Sequence, residues 1–205
     1  MKTDSRKIGM MSFVTGAVAG LSLLAAPMAL ANDYRKQGKS VEVAKSDMEV
    51  TPPQDWNKLD DRPGKNAEVW TLDGELLNDV TFYGGIKPGK PLVKERSKMN
   101  EPLPKVSKDM LLIEVPELLE GTYRVYKNAA TFELTSSAPG KFVGHDGVHF
   151  TYQYADQDGL TRKGKARAVI VKSRLYMITY DAPRLYYFDQ TLAAFNALAD
   201  TATLQ

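Results

Sequence analysis

Residues 163–181 read KGKARAVIVKSRLYMITYD, and this stretch decides the fold. Its two halves, Lys163 to Val171 and Leu175 to Asp181, are rich in β-branched and aromatic residues, and Lys172-Ser173-Arg174 separates them as a tight polar turn. Segments of the same kind come before it, with Ala138-Pro139-Gly140 and Asp156 to Gly159 as their turn signals. Consecutive strands joined by short turns predict an antiparallel meander over Thr131 to Ser136, Val148 to Ala155, Lys163 to Val171 and Leu175 to Asp181.

Two helices are predicted around this meander. The first begins at Pro116, where the missing N–H of proline costs nothing. Its apolar face comprises Leu118, Leu119, Thr122, Tyr123 and Tyr126. The second helix runs from Gln190 to about Thr201, with Asp189 as its N-cap and Leu192, Phe195 and Ala199 as its buried stripe. We therefore predict an α+β domain, in which helices pack on one face of an antiparallel β-sheet.

The N-terminal 31 residues have the pattern of a secretory signal. Lys2, Arg6 and Lys7 form a basic start, Ile8 to Ala26 is apolar and small, and Ala29-Leu30-Ala31 gives the small-x-small pattern of a cleavage site. The alternative is an uncleaved membrane anchor. Cleavage after Ala31 predicts a periplasmic or secreted protein with no transmembrane segment left.

The remainder divides into a polar stretch and an apolar one. Residues 32–66 contain few large apolar side chains and predict a mobile leader with a first strand or turn near its end. Residues 67–205 predict a single α+β domain, which begins with short strands at Glu68 to Leu72 and within Leu76 to Ile86.

Composition excludes several classes of protein. The 205 residues include no cysteine, which rules out disulfides, thiolate metal sites and cysteine nucleophiles. A formal net charge of +2 gives no basis for a nucleic-acid-binding protein. No motif identifies a reaction, so we expect neither catalysis nor a cofactor.

The order of elements from Leu111 to Thr201 resembles the PsbP-like fold family. The residues that carry the resemblance are FELTSSAPGKF, FTYQY and the hairpin ARAVIVKSRLYMITYDAP, followed by a closing helix. The segment LNDVTFYGG also resembles exported proteins of Gram-negative bacteria. Members of the PsbP-like group mostly act as binding or assembly factors, so the resemblance implies a role without catalysis.

Both histidines lie in Gly144-His145-Asp146-Gly147-Val148-His149. An Asp146-Gly147 turn between two strands would bring both imidazoles near one strand end, where two His and an Asp are a partial zinc or copper site. The alternative is a surface turn followed by a solvent-facing strand histidine. We favour that alternative and predict no metal site.

Lys163, Lys165 and Arg167 alternate along a predicted strand and form what we call the basic row. Tyr152 and Tyr154 share one face of the preceding strand and are expected beside it. Cations next to aromatic rings suit an anionic partner, whereas a solvated strand face that discourages aggregation is the alternative. We predict that these five residues bind an envelope protein or an anionic envelope component.

The resulting functional hypothesis is a periplasmic domain without catalysis that binds a protein or envelope partner, in a role such as envelope assembly. The alternative is a carrier that holds a small amphiphilic or lipid-like ligand between sheet and helices. An apolar cleft between these two layers would distinguish the carrier.

Overall fold

The computed structural model describes residues 33–95 and 101–205. The strands are β1 (Asp33–Arg35), β2 (Val41–Glu42), β3 (Met48–Val50), β4 (Trp56–Lys58), β5 (Ala67–Thr71), β6 (Asp79–Ile86), β7 (Thr131–Phe142), β8 (His145–Ala155), β9 (Thr161–Val171), β10 (Arg174–Pro183) and β11 (Thr203–Leu204). The helices are α1 (Val115–Tyr126), after a 3₁₀ turn at Leu112–Glu114, and α2 (Tyr187–Asp200). Eight strands form one antiparallel sheet in the order β1-β4-β5-β6-β10-β9-β8-β7, and β11-β3-β2 form a small second sheet.

The predicted meander is confirmed, because β7, β8, β9 and β10 pair with one another in sequence order. The first hairpin turns at Val143-Gly144, where both φ angles are positive, at 46° and 81°. The turns expected at Ala138-Pro139-Gly140 and Asp146-Gly147 are wrong, since both segments lie inside strands. Pro139 is tolerated there because β7 is an edge strand.

The α+β class is confirmed, but the two helices lie on opposite faces of the sheet and not on one. Side chains along β10 alternate between the faces, with Met177 packed in the α1 layer and Ile178 in the α2 layer. Leu119 of α1 and Phe195 of α2 are fully buried in these two layers. The apolar run of β10 therefore reflects burial on both sides of a central strand.

The stretch predicted to be a mobile leader belongs to the domain instead. From Asp33 onward it forms β1 and β4, which extend the large sheet, together with β2 and β3 of the small one. Trp56 of β4 and Val43 are almost completely buried, so a few apolar residues suffice to dock this polar segment.

Helix α1 begins with Pro116 in its first turn, as predicted, and buries Leu118, Leu119, Thr122 and Tyr123. Helix α2 begins at Tyr187, before the expected start, so Asp189 lies in its first turn and is not the N-cap. The predicted signal peptide lies outside the described residues. Among the described residues, no helix is long and apolar enough to cross a membrane.

Candidate functional site

The structure separates the tyrosines from the basic row. Cross-strand partners share a face of the sheet, and Tyr152 lies opposite Gly164 while Tyr154 lies opposite Arg162. The tyrosines therefore face the α1 layer, whereas the basic row faces the α2 layer. A Cβ on Gly164 would overlap the ring of Tyr152, so this glycine provides the space for that ring. The expected adjacency of rings and cations is wrong.

The basic row makes its contacts with helix α2. Arg167 bonds Asp200 at 2.5 Å, and Lys165 donates to Asn196 at 2.9 Å. Lys163 lies 5.4 Å from the centroid of the Phe188 ring. Burial and the neighbouring Arg167 lower the pKa of Lys165. These cations dock α2 onto the sheet, and their predicted role in partner binding stays a prediction.

Tyr152 and Tyr154 belong to a buried ionic cluster under the end of α1, formed by Asp79, Tyr123, Lys127, Tyr152, Tyr154 and Asp181. Tyr123 donates to Asp181 Oδ2 at 2.5 Å, and the Lys127 ammonium donates to the same oxygen at 3.1 Å. Asp181 Oδ1 has no hydrogen-bond partner among the described residues. The cluster ties the C-terminal end of α1 to the sheet.

The charges of this cluster depend on one another. Burial by itself lowers the pKa of Lys127, but the carboxylates of Asp181 and Asp79 outweigh burial and raise it well above its ordinary value. Burial raises the pKa of Asp79 to about 6, against the opposing effect of Lys127. Lys127 is therefore charged at neutral pH. The pKa of Asp79, about 6, lies just below neutral pH.

Both histidines lie in the first half of β8. His145 is exposed at the start of β8, and the Nε2 atom of His149 lies 2.9 Å from the carbonyl oxygen of Lys141. Burial lowers the pKa of His149. Within the residues that the structure describes, no three His, Asp or Glu side chains are placed to share a metal ion.

The structure contains a groove at the end of the sheet where β5 begins and β6 ends. The sequence analysis did not predict this groove. Its volume is about 1070 Å³. We call it the lysine groove, and its lining is Glu42, Lys45, Ser46, Asp47, Lys65, Asn66, Gly84, Gly85, Ile86, Lys87, Lys90, Pro91, Leu92, Val93, Lys94, Arg174 and Gln205. Neither helix contributes a residue to this lining, although Ile86, Leu92 and Val93 also belong to the core packed against α1.

A tight turn forms one wall of the lysine groove. Ala44 and Lys45 have φ angles of 55° and 50°, as in a hairpin turn with two left-handed residues. The Asn66 side chain donates to the Lys45 carbonyl at 3.1 Å, and buried Glu68 accepts the Ala44 N–H at 3.3 Å. A side chain on Gly84 would collide with Ser46, so glycine permits this close approach.

The lysine groove is strongly cationic. Six cationic side chains and only two side-chain carboxylates line it, the latter belonging to Glu42 and Asp47. The Tyr176 hydroxyl donates to Asp47 at 2.8 Å, and Lys94 has an exposed ion pair with Asp61 at 3.8 Å. Burial and the Asp47 hydrogen bond raise the pKa of Tyr176. Arg174 also hydrogen-bonds the Tyr176 side chain, whereas Lys45, Lys65, Lys87 and Lys90 are exposed and form no ion pair within the described residues.

The floor of the lysine groove is apolar. Ile86, Leu92 and Val93 lie beneath it in the core and are at most 4% exposed, so the groove presents half-buried Pro91 and the lysine stems to a ligand. The sequence feature that comes nearest to indicating this groove is the run Lys87-Pro-Gly-Lys90-Pro-Leu-Val-Lys94. It places three lysines within the eight residues that follow β6. That run alone is typical of any solvated turn.

Comparison with known proteins gives similarity in structure only. No protein-family model matches the chain. No curated protein matches it either. Among solved structures, it is similar to the cyanobacterial PsbP protein, CyanoP, from Synechocystis sp. PCC 6803, with 12% identity, a TM-score of 0.51, and coverage of 88% of this chain and 96% of that one.

Two further structures have lower TM-scores. The Saccharomyces cerevisiae Ran-binding protein Mog1p is 10% identical, with a TM-score of 0.45 and coverage of 82% and 96% of the two chains. LpqN of Mycobacterium tuberculosis, a protein involved in cell envelope biogenesis, is 12% identical, with a TM-score of 0.36 and coverage of 85% and 86%. The similarity to CyanoP, at 12% identity, shows the fold and nothing more. The chain has a PsbP-like fold.

Proposed function

We propose that this chain is an exported, non-catalytic binding domain of the bacterial cell envelope, which holds a phosphate-bearing amphiphile in the lysine groove. The observation that carries the proposal is a rim of six cationic side chains around an apolar floor in a groove of about 1070 Å³. The signal-like residues 1–31 support export.

The charge of the groove favours an anion. A concave surface lined by one sign of charge concentrates the field and raises the local concentration of counter-ions. Lysine ammonium groups bind phosphate as point charges, and their flexible stems adapt to headgroups of different shape. Since each exposed lysine contributes about 1 kcal/mol at an anionic lipid surface, the rim is sufficient for binding without a buried charge.

The apolar floor distinguishes an amphiphile from a simple ion. Half-buried Pro91 and the methylene stems of the lysines offer contact to a short length of acyl chain or to an apolar linker, while the ammonium groups hold the headgroup. This arrangement differs from a carrier with its ligand between sheet and helix. Rings stack in both of those interfaces, with centroids of Phe132 and Tyr152 at 5.0 Å and of Tyr180 and Phe195 at 5.2 Å.

The test is binding to lipid vesicles by the variant Lys87→Ser/Lys90→Ser/Lys94→Ser. Wild type should sediment with vesicles that contain phosphatidylglycerol and not with pure phosphatidylcholine. Loss of three lysines should weaken binding by about 3 kcal/mol, or about 100-fold. The matched control is Lys36→Ser/Lys39→Ser/Lys108→Ser, which removes three exposed lysines away from the groove.

Two further arms identify the source of the anion. Inorganic phosphate that displaces the vesicles at low concentration indicates recognition of phosphate itself, whereas displacement only by soluble short-chain lipid indicates recognition of the amphiphile. Binding of polyglutamate without binding of vesicles would make the partner an acidic protein and refute the lipid assignment. Equal binding by the groove variant and its control would refute the site.

A further inference from the structure

Large apolar side chains are exposed at the end of the sheet opposite the lysine groove. They belong to the β5–β6 loop, the β8–β9 turn and the β10–α2 connection. We call this surface the loop face, and its apolar residues with their exposed fractions are Leu76 (77%), Leu160 (46%), Leu185 (76%) and Tyr186 (71%). Exposed apolar residues gathered in one region are typical of interaction sites, whereas scattered ones are ordinary.

Hydrogen bonds show that the three segments are neighbours. The guanidinium of Arg162, itself almost fully buried, donates to the Leu76 carbonyl at 2.8 Å. The N–H of Arg184 donates to the carbonyl of Thr161, the residue after Leu160, at 2.9 Å. The strand order places β6, β10 and β9 side by side, so their ends form one continuous surface.

Side-chain hydrogen bonds order two of the three segments, the β5–β6 loop and the β8–β9 turn. The buried Asn78 side chain accepts the Leu72 N–H at 2.8 Å and donates to Asp73 at 2.7 Å. Asp156 Oδ1 accepts the N–H groups of Asp158 and Leu160 at 3.1 and 2.9 Å. Leu76 and Leu160 are thus exposed on segments that polar contacts hold in place. A surface of this kind loses little conformational entropy on binding.

The backbone at Tyr186 is strained. Its φ and ψ angles of 70° and −62° form a γ-turn, in which the Tyr187 N–H donates to the Leu185 carbonyl at 2.8 Å. A non-glycine residue in this region costs on the order of 1–3 kcal/mol. The γ-turn leaves the Tyr186 ring 71% exposed next to Leu185, with an edge contact to the Tyr187 ring at 5.2 Å between centroids. Strain of this kind at an exposed tyrosine points to a binding role.

The charges around the loop face are acidic. The segments 72–78, 156–160 and 184–190 contain one cationic residue, Arg184, and five carboxylates, of which Asp156 lies 3.8 Å from the buried Arg162 and the others are Asp73, Glu75, Asp158 and Asp189. We propose that the loop face docks a protein segment whose apolar side chains are flanked by lysine or arginine. Leu185 and Tyr186 are its central anchors, and the acidic rim selects basic partners and repels an anionic membrane.

The test uses the double variant Leu185→Ser/Tyr186→Ser. A random peptide library displayed on phage is selected on the wild-type protein in the presence of excess soluble double variant. We expect the surviving peptides to combine leucine or aromatic residues with lysine or arginine. Synthetic copies measured by fluorescence anisotropy should bind the double variant about tenfold more weakly or worse.

Matched variants separate this surface from others. Leu111→Ser/Ile113→Ser removes two equally exposed apolar residues elsewhere and should leave peptide binding unchanged. Leu76→Ser, on a different loop, should weaken it. The lysine-groove triple variant should bind the peptides normally, so the two proposals can fail separately.

Other results would overturn the proposal. Selection of acidic peptides, or of none that survive the counter-selection, would remove the stated partner. Self-association in sedimentation velocity that the double variant abolishes would make the occupant a second copy of this chain. Binding to phosphatidylcholine vesicles that is lost in the double variant would make it a membrane.

Discussion

Replacing Asp79 by asparagine should change how stability depends on pH. Asp79 is buried, and its carboxylate lies 3.7 Å from the Lys127 ammonium and close to the second buried carboxylate, Asp181. Burial raises its pKa to about 6 in the folded protein, from an ordinary value of 3.8. Asparagine keeps the size of the side chain and removes the charge.

Proton linkage gives the direction in which stability changes with pH. Between these two pKa values the folded chain binds the proton of Asp79 more tightly than the unfolded chain, so stability decreases as pH rises. Its contribution is complete below the unfolded pKa and is lost as the pH passes through about 6. Ionisation therefore costs wild type about 2 kcal/mol between roughly pH 4 and pH 7, and the Asp79→Asn variant avoids this cost.

Urea unfolding provides the assay, because Trp56 and Trp70 are both buried and report unfolding by fluorescence. The quantity to compare is the free energy of unfolding of Asp79→Asn minus that of wild type. This difference should rise by about 2 kcal/mol from roughly pH 4 to pH 7, while Asp60→Asn, at an exposed position, should give a flat difference. A flat difference for Asp79→Asn as well would refute the raised pKa.

Three further substitutions test the packing around the buried ionic cluster and the lysine groove. Lys127→Met should cost about 2 kcal/mol in urea unfolding, because it leaves the buried Asp181 carboxylate without its cation. Glu68→Gln should cost about 3 kcal/mol, since it removes the carboxylate paired with Arg62 and leaves Arg35 with Asp33 alone, and it should also weaken vesicle binding by loosening one wall of the lysine groove. Gly164→Val should lower the thermal midpoint, with a loss of about 3 kcal/mol, because the Tyr152 ring occupies the space of the new side chain. An unchanged midpoint for this last variant would contradict the observed sheet register.

Local patterns predicted the elements of the fold. The hairpin of β9 and β10 combines β-favouring strands with a polar turn, so its signal is complete within about twenty residues. The turns at Ala138-Pro139-Gly140 and Asp146-Gly147 were wrong because turn residues are also tolerated on an edge strand. The prediction that both helices pack on one face of the sheet was wrong, because the apolar run of β10 does not show which face each helix covers.

The candidate sites depend on information that no local pattern contains. Tyr152 shares a face of the sheet with Gly164. A register shift of one residue between β8 and β9 would place it on the face of Lys165 instead. The lysine groove brings Lys45 and Arg174 together across more than a hundred residues. The loop face likewise needs the strand order, since its three segments are separate in the sequence.

The two proposed surfaces lie at opposite ends of β6 and β10 and have opposite charge. The eight residues of β6 separate them by about 25 Å, at roughly 3.4 Å per residue. The Debye length at physiological salt is about 8 Å, so the acidic loop face barely weakens the field of the lysine groove. A partner at one end therefore neither competes with nor attracts a partner at the other. The same domain is thus able to hold an anionic amphiphile and a basic protein segment at once, and their measured affinities should be independent.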